Sequence, residues 1–195
     1  VQVKFYSGNA LINVTSGTLN VGGQIRRTLT SLNGVLKFRQ TGGDVDIATD
    51  LADNNTRASF EVLNSGSEFT LTGGTFNIER GVTGDANLSL ELSPESFDLS
   101  GSTINLFENL GADYGSNFFN VSSSIALNNL TVANSIDLPD VQLFNQNLEV
   151  NDLTINSNQA LLANNFNVTI NGNFTNNGTY TNTITETILA GTGAQ

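Results

Sequence analysis

A short phrase that recurs along the chain constrains its fold more than any other feature of the sequence. The phrase is an apolar–polar–apolar step directly after a glycine-rich turn, and copies lie within 12–21, 37–47, 69–78 and 97–106. The alternation has the period of two that β-strands show. Because strands this short cannot bury a face alone, the phrase predicts strands that stack on copies of themselves.

The distance between copies is regular but not constant. Our alignment of the steps gives intervals of 26, 31, 28, 28, 23 and 25 residues. The residues placed just before each step are Thr18, Asp44, Thr75, Thr103, Thr131, Thr154 and Thr179. Such intervals indicate successive coils that carry loops of different length.

Stacked coils of this kind form a parallel β-solenoid. We expect an all-β chain that forms a single right-handed parallel β-helix of about seven coils over residues 1–195, with the apolar alternates inside. The right hand rests on the usual crossover preference of parallel strands. An antiparallel β-sandwich is the alternative, since it also has short alternating strands with Gly or Asn turns. A sandwich gives no reason for a corner glycine to recur at these intervals.

The corner residues favour the solenoid. Sharp corners need positive φ, which Gly and Asn adopt most readily. Glycines stand at equivalent corners of the first four copies: Gly17, Gly43, Gly74 and Gly101. Asparagines fall near the corners of later copies: Asn128, Asn129 and Asn151. Stacked Asn side chains can also hydrogen-bond along a solenoid.

The composition argues against several classes of function. The chain has no Cys and no His, so it lacks the commonest general base and the commonest zinc ligands. The formal net charge is −11, and all seven basic residues lie in the first 80 positions. We therefore expect no nucleic-acid partner, which would need clustered Lys and Arg. No apolar run is as long as a membrane span, so we expect no membrane insertion.

Acidic residues provide two candidate sites. Asp44, Asp46, Asp50 and Asp53 lie close together within 42–55, and oxygen-rich loops of this kind can bind calcium. EF-hand spacing is absent, so the sequence favours a solvated acidic segment, with Asp44 and Asp46 on the outward strand face.

Asp137 and Asp140 flank a proline, and paired carboxylates can hydrolyse glycosides. No basic residue follows Arg80, so a turn is the preferred interpretation of this second pair.

Basic and hydroxyl side chains provide two more candidates. Arg26, Arg27, Lys37 and Arg39 form a cluster that could bind an acidic polysaccharide, although we favour its offsetting nearby aspartates on the outer surface. Thr recurs at one position of most copies, and regular Thr arrays on flat solenoids suggest ice binding. A convincing array would show two outward Thr in each coil, whereas the later copies within 130–134 and 153–157 have one.

The second half of the chain resembles a known group of proteins. The segment "FNVTINGNFTNNGTYTNTI" at 166–184, followed by "GTGAQ" at 191–195, is similar to repeats in very large surface proteins of Bacteroidetes. These are the adhesins and gliding-motility proteins exported by the type IX secretion system. "LNNLTVAN" and "VNDLTINSN" are of the same type, and "TGGTFNI" at 72–78 resembles repeats of bacterial autotransporter passengers.

The resemblance implies an extracellular stalk or adhesin segment at the cell surface, and a piece of a longer chain. The implied partners are the remainder of the same polypeptide, secretion or surface-anchoring machinery, and surface polysaccharide. We expect no enzymatic activity, no cofactor and no catalytic or metal site. Loops at 81–87 and 109–117 are the expected contact surfaces. Two alternatives stay open: a carbohydrate-active β-helix enzyme, and a glycan- or ice-binding module.

Overall fold

The fold was analysed in a computed structural model, which describes residues 2–29, 33–49, 58–81, 88–107, 118–133, 140–183 and 185–191. Within these ranges the chain forms strands and connections without any helix. The strands are β1 (Val3–Phe5), β2 (Asn9–Val14), β3 (Thr18–Val21), β4 (Ile25–Arg27), β5 (Val35–Ile47), β6 (Phe60–Ile78), β7 (Leu90–Asp98), β8 (Thr103–Leu106), β9 (Phe118–Ser123), β10 (Leu127–Val132), β11 (Asp140–Leu143), β12 (Leu148–Ile155), β13 (Ala160–Asn164), β14 (Val168–Ile170), β15 (Phe174–Asn176), β16 (Thr179–Asn182) and β17 (Thr187–Leu189).

The strands pair in parallel and fall into three ladders. The first ladder contains β1, β4, the starts of β6 and β7, β9, β11, β13 and β16. The second has two parts: β2, the start of β5, the middle of β6 and the end of β7 pair in order, and so do the starts of β10 and β12, β14 and β17. Among the described residues no pairing joins β7 to β10. The third contains β3, the ends of β5 and β6, β8, β10, the end of β12 and β15.

These pairings confirm an all-β chain whose parallel sheet nearly closes into a solenoid-like shape. Every strand pairing among the described residues is parallel, so the antiparallel sandwich is wrong. The chain visits the three ladders in turn and then pairs with its own earlier strands. Stacking therefore provides the partners that each short strand lacks alone.

The core is built from the apolar alternates of all three ladders. It includes a cluster of four fully buried phenylalanines, Phe38, Phe60, Phe69 and Phe76. Their ring centroids lie 4.9–6.0 Å apart, and several pairs meet edge to face. Such contacts are favourable beyond the area that they bury, so this cluster anchors the stack.

The glycine corners between the second and third ladders are confirmed for three of the four predicted residues. Gly17, Gly43 and Gly74 have φ values of 73°, 77° and 88°. They stack directly, because a Cβ on Gly74 would overlap the carbonyl oxygen of Gly43, and a Cβ on Gly43 would overlap that of Gly17. Gly101 is not in the positive-φ region, but a Cβ there would overlap the backbone of Thr72.

The predicted asparagines do lie near corners, but without the left-handed conformation. Asn128, Asn129 and Asn151 lie where β10 and β12 pass from the second ladder to the third, and none of them has positive φ. Within the described part of the chain, the asparagines with positive φ are Asn64, Asn145, Asn158 and Asn164. Asparagine does take left-handed corners in this protein, but at other positions of the coil.

The predicted repeat alignment is right for its first four residues and wrong for its last three. Thr103 pairs with Asn129, whereas Thr131 pairs with Asn105 and Thr154 pairs with Thr131. The alignment therefore slips by two residues after Thr103. Thr179 begins β16 in the first ladder and pairs with Ala160. A slip of two keeps side chains on the same strand face, so alternation alone cannot detect it.

The connections from the third ladder to the first vary most in length. They contain 3 residues after β3, 12 after β5, 11 after β6, 11 after β8, 7 after β10, 4 after β12 and 2 after β15, counted between strand bounds. The variable interval between copies therefore comes mainly from this one corner.

Candidate binding face

The outward side of the third ladder has an unusually uniform chemistry. Its strands present two outward positions each, and every one of these positions is Thr, Asn or Asp. The first file contains Thr18, Asp44, Thr75, Thr103, Asn129, Asp152 and Asn173. The second file contains Asn20, Asp46, Asn77, Asn105, Thr131, Thr154 and Thr175. We call this surface the Thr/Asn/Asp face.

The regular pairing of the third ladder positions these side chains. The four-residue segments that carry the files pair without a register shift from β3 through to the end of β12. Neighbouring strands of a sheet lie about 4.8 Å apart, so each file repeats at that interval. The residues between the two files point inward; Val45, Phe76 and Leu153 are fully buried, while Leu19 and Phe174, in the first and last strands of the ladder, are partly buried. The two files thus stand on a fixed, packed support.

Hydrogen bonds run along the second file. Asn77 Nδ2 donates to Asp46 Oδ1 at 2.7 Å, and Asn105 Nδ2 donates to Asn77 Oδ1 at 2.9 Å. At the end of the file, Thr49 Oγ1 donates to Asn20 Oδ1 at 2.7 Å. A primary amide has two N–H groups, so each bond along the file uses only one of them. The amides are held in one orientation and still present hydrogen-bonding groups outward.

A shallow groove of about 380 Å³ lies beside the second file. It is lined by Asn77, Asn105, Phe107, Ala133 and Asn156. Phe107 is partly exposed directly after β8. The groove therefore combines amide groups with an aromatic and apolar border.

The other two ladders carry mixed chemistry on their outward sides. The second ladder presents Leu11, Lys37 and Glu68 in one file, paired in register. Arg39 Nε and Nη2 donate to Glu68 Oε1 and Oε2 at 2.6 and 2.7 Å. The hydrogen bond from Arg39 lowers the pKa of Glu68, and that from Glu68 raises the pKa of Arg39. These long charged side chains contrast with the short uncharged and acidic ones of the third ladder.

The predicted basic cluster divides into two separate groups. Lys37 and Arg39 do share the outward face of β5, opposite the buried Leu36 and Phe38, as predicted. Arg39 pairs with a glutamate, however, and not with the aspartates that we expected. The reason is the parallel register, which places Glu68 opposite Lys37 and therefore diagonally next to Arg39.

Arg26 and Arg27 belong to the first ladder and are buried, so their predicted place on the outer surface is wrong. Arg27 Nε donates to Glu61 Oε1 at 2.8 Å, and the Arg27 backbone N–H donates to the same oxygen at 2.6 Å. Arg26 Nε donates to Gln24 Oε1 at 2.6 Å. Buried charges require partners of this kind, so these residues serve the packing of the coil.

The predicted acidic candidates are only partly covered by the structure. Asp44 and Asp46 lie on the outward side of β5, as predicted, while Val45 and Ile47 are fully buried. Asp50 and Asp53 lie outside the described residues. The residues that the structure describes contain no group of three or more acidic side chains that could hold a metal ion.

Asp140 begins β11 and is partly buried, which raises its pKa. Its predicted partner Asp137 lies outside the described residues, as do the predicted contact loop at 109–117 and all but the first residue of the predicted loop at 81–87. Over the described ranges, the structure has no helix of the length and hydropathy that would span a membrane.

The ice-binding pattern does not form on the third ladder. No described strand of that ladder carries Thr at both outward positions. Sequence reasoning found one threonine in each later copy but missed the second file. The available signal was the repeated pattern of Thr, Asn or Asp on either side of one apolar residue.

Comparison with protein-family models, with curated proteins and with solved structures finds no match to this chain.

Proposed function

We propose that this chain is a structural and adhesive segment of a large bacterial cell-surface protein: a rigid β-helical stalk that displays loops for attachment. The stalk is a right-handed helix of about seven coils, with the hand taken from the crossover preference of parallel strands. The proposal includes an extracellular location, export by type IX secretion, a part in adhesion or gliding, and no catalytic role. The partners are the rest of the polypeptide, surface-anchoring machinery and surface polysaccharide.

The observation that carries the proposal is the continuity of the ladders. Parallel pairing connects β1 to β16 in the first ladder, and β3 to β15 in the third. Backbone hydrogen bonds in such a stack run along its long axis, and each strand contacts only the strands above and below it. A body of this construction resists bending and keeps its surface groups at fixed spacing, which suits a stalk.

Electron microscopy of the protein on its native cell surface tests the proposal. We expect a rod in which the chain continues the stacking of its neighbours at about 4.8 Å per strand. A closed, capped domain with a cleft around Asp140 or Lys37 would overturn the stalk.

A mechanical test examines the stacking directly. When the chain is pulled from its two ends, coils should detach in steps of about 60–130 Å, since paired residues of successive coils lie 19–35 positions apart and each residue extends by roughly 3.3–3.6 Å. A single all-or-none rupture would contradict a one-dimensional stack.

The non-catalytic role has its own test. The chain incubated with acidic or neutral polysaccharides should release no new reducing ends. Turnover that disappears in Asp140→Ala would overturn this part of the proposal and restore the enzyme alternative.

A further inference from the structure

We infer that the Thr/Asn/Asp face binds a neutral, extended polysaccharide that lies along the solenoid axis. This inference rests on the proposed adhesive function and gives the ligand class for it. It depends on what the third ladder presents, on how its groups are held, and on their charge.

The side chains of the face suit the recognition of sugar hydroxyls. Hydroxyl, amide and carboxylate groups together donate and accept hydrogen bonds, which is what neighbouring sugar hydroxyls require. Apart from the Asp44 and Asp46 pair, each described strand of the third ladder joins one Thr to one Asn or Asp. Thr, Asn and Asp are short, so ordering them on binding costs less entropy than ordering Lys, Arg or Glu would.

The face is organised before any ligand arrives. The bonds from Asn105 to Asn77 and from Asn77 to Asp46 fix the amides, and the buried residues between the files fix the backbone. Preorganised groups lose little freedom on binding, which favours affinity. The repeat of about 4.8 Å between strands is close to the length of one sugar unit in an extended glycan. Successive strands can therefore contact successive sugars, and many weak contacts add up along one chain.

The charge of the face selects a neutral glycan. Its charged side chains are the carboxylates of Asp44, Asp46 and Asp152, and neither file contains Lys or Arg. An acidic polysaccharide would be repelled, and the net charge of −11 adds to that repulsion. Beside the second file, Phe107 borders the groove with an apolar ring, which suits the C–H face of a sugar.

Ice is a poorer occupant than a glycan. An ice lattice repeats one arrangement of water, whereas the Thr/Asn/Asp face is not regular. Thr103 lies in the first file and Asn105 in the second, but on the next strand Asn129 lies in the first file and Thr131 in the second. The carboxylates of Asp44 and Asp46 also bind water in their own hydration shells. A flexible chain of hydroxyls can adapt to such variation, while a crystal plane cannot.

Retention of the 195-residue chain on insoluble polysaccharides tests the inference, with cellulose, chitin, β-1,3-glucan and mannan as neutral probes and alginate gel as an acidic one. The test variant is Thr103→Val with Asn105→Leu. The matched control is Thr169→Val with Asn171→Leu on the second ladder, where Asn171 Nδ2 donates to Glu149 Oε1 at 3.0 Å. Both variants remove one hydroxyl and one amide that makes one side-chain hydrogen bond.

We expect retention on at least one neutral probe, a loss of about tenfold in affinity in the test variant, and no loss in the control, since two hydrogen bonds to ligand are removed. Circular dichroism checks that each variant is folded. If the test variant does not fold, Thr131→Val alone removes a hydroxyl from the second file and should weaken retention in the same direction.

Three results would overturn the inference: no retention on any neutral probe, equal losses in the test and control variants, or retention on alginate alone. Shaping of ice crystals that the test variant abolishes would assign the face to ice instead. None of these results bears on whether electron microscopy shows a rod, so the failure of the binding face and the failure of the stalk are distinguishable.

Discussion

The stacked glycine corner predicts a large difference between two similar substitutions in β6. Gly66 and Gly74 have nearly equal φ values of 87° and 88°, so alanine at either position would take a left-handed φ that L-residues disfavour. A Cβ on Gly66 would meet only Val35 methyl carbons at 3.7–3.8 Å, which is ordinary contact. A Cβ on Gly74 would overlap the carbonyl oxygen of Gly43 and lie 2.7 Å from Gln40 Nε2. Gly66→Ala therefore measures the cost of backbone strain alone, whereas Gly74→Ala measures backbone strain together with the overlap between stacked glycines.

The magnitudes follow from these contacts. A left-handed alanine costs about 1–2 kcal/mol, and the smaller entropy of its unfolded state returns about 0.4–1 kcal/mol. We therefore expect Gly66→Ala to lower the free energy of unfolding by about 1 kcal/mol. Overpacking adds about 1–3 kcal/mol at Gly74, which gives about 2–4 kcal/mol for Gly74→Ala. At roughly 2–4 °C for each kcal/mol in a chain of this size, Tm should fall by about 4–16 °C.

Urea and thermal unfolding followed by circular dichroism measure both variants. The urea m-value must stay constant across the set, because a solenoid can unfold in parts. Gly43→Ala repeats the test one strand lower, where a Cβ would overlap the carbonyl oxygen of Gly17. Equal losses for Gly66→Ala and Gly74→Ala would refute the direct stacking of the glycines.

Three further predictions concern the core and the carboxylates. Phe60→Ala should lower the free energy of unfolding by about 3–5 kcal/mol because the ring is fully buried, whereas Phe97→Ala, at a ring 49% exposed, should cost far less in the same urea assay. Arg39→Gln should raise the pKa of Glu68, as measured by NMR. In the native protein the lowered pKa of Glu68 stabilises the fold at pH values above its unfolded-state pKa of about 4.3, and this stabilisation is lost as pH falls through its folded-state pKa. Asp140→Asn should stabilise the chain at pH 7 and not at pH 3. The pKa of the Asp140 carboxyl is raised by burial, so its contribution to stability is present at low pH and is lost as pH rises through its folded-state pKa.

Contrary results would be equally clear. Similar losses for the two phenylalanine variants would place the buried ring outside the core. An unchanged Glu68 pKa would show that Arg39 and Glu68 do not form an ion pair in solution. A pH-independent effect of Asp140→Asn would show that burial does not disfavour the charged form of Asp140.

The general architecture could be predicted from the sequence because one pattern repeats. The period-two alternation of apolar and polar residues assigns Val45 and Ile47 to the core, and the recurring turn assigns Gly17, Gly43 and Gly74 to corners. These features depend on each residue's own neighbours, which the sequence contains. The parallel direction followed from strands too short to stand alone.

The register of the later copies could not be predicted in the same way. Thr moves from the first file at Thr103 to the second at Thr131, so matching by residue type shifts the alignment by two. The burial of Arg27 was also missed, since charged side chains usually remain in water. Its partner Glu61 is 34 positions away, and only the pairing of β4 with β6 brings them together.

The unequal lengths of the connections from the third ladder to the first show where this protein tolerates insertions. Between the third ladder and the first, the chain inserts from 2 to 12 residues, while the strands on either side keep their pairing. A connection that varies in length while the flanking ladders keep their pairing is a natural site for grafting. A foreign peptide placed between β5 and β6 would enter the chain after the strand end that carries Asp44 and Asp46 of the Thr/Asn/Asp face. The stack could thus gain new specificities at one edge while its hydrogen-bonded body stays the same.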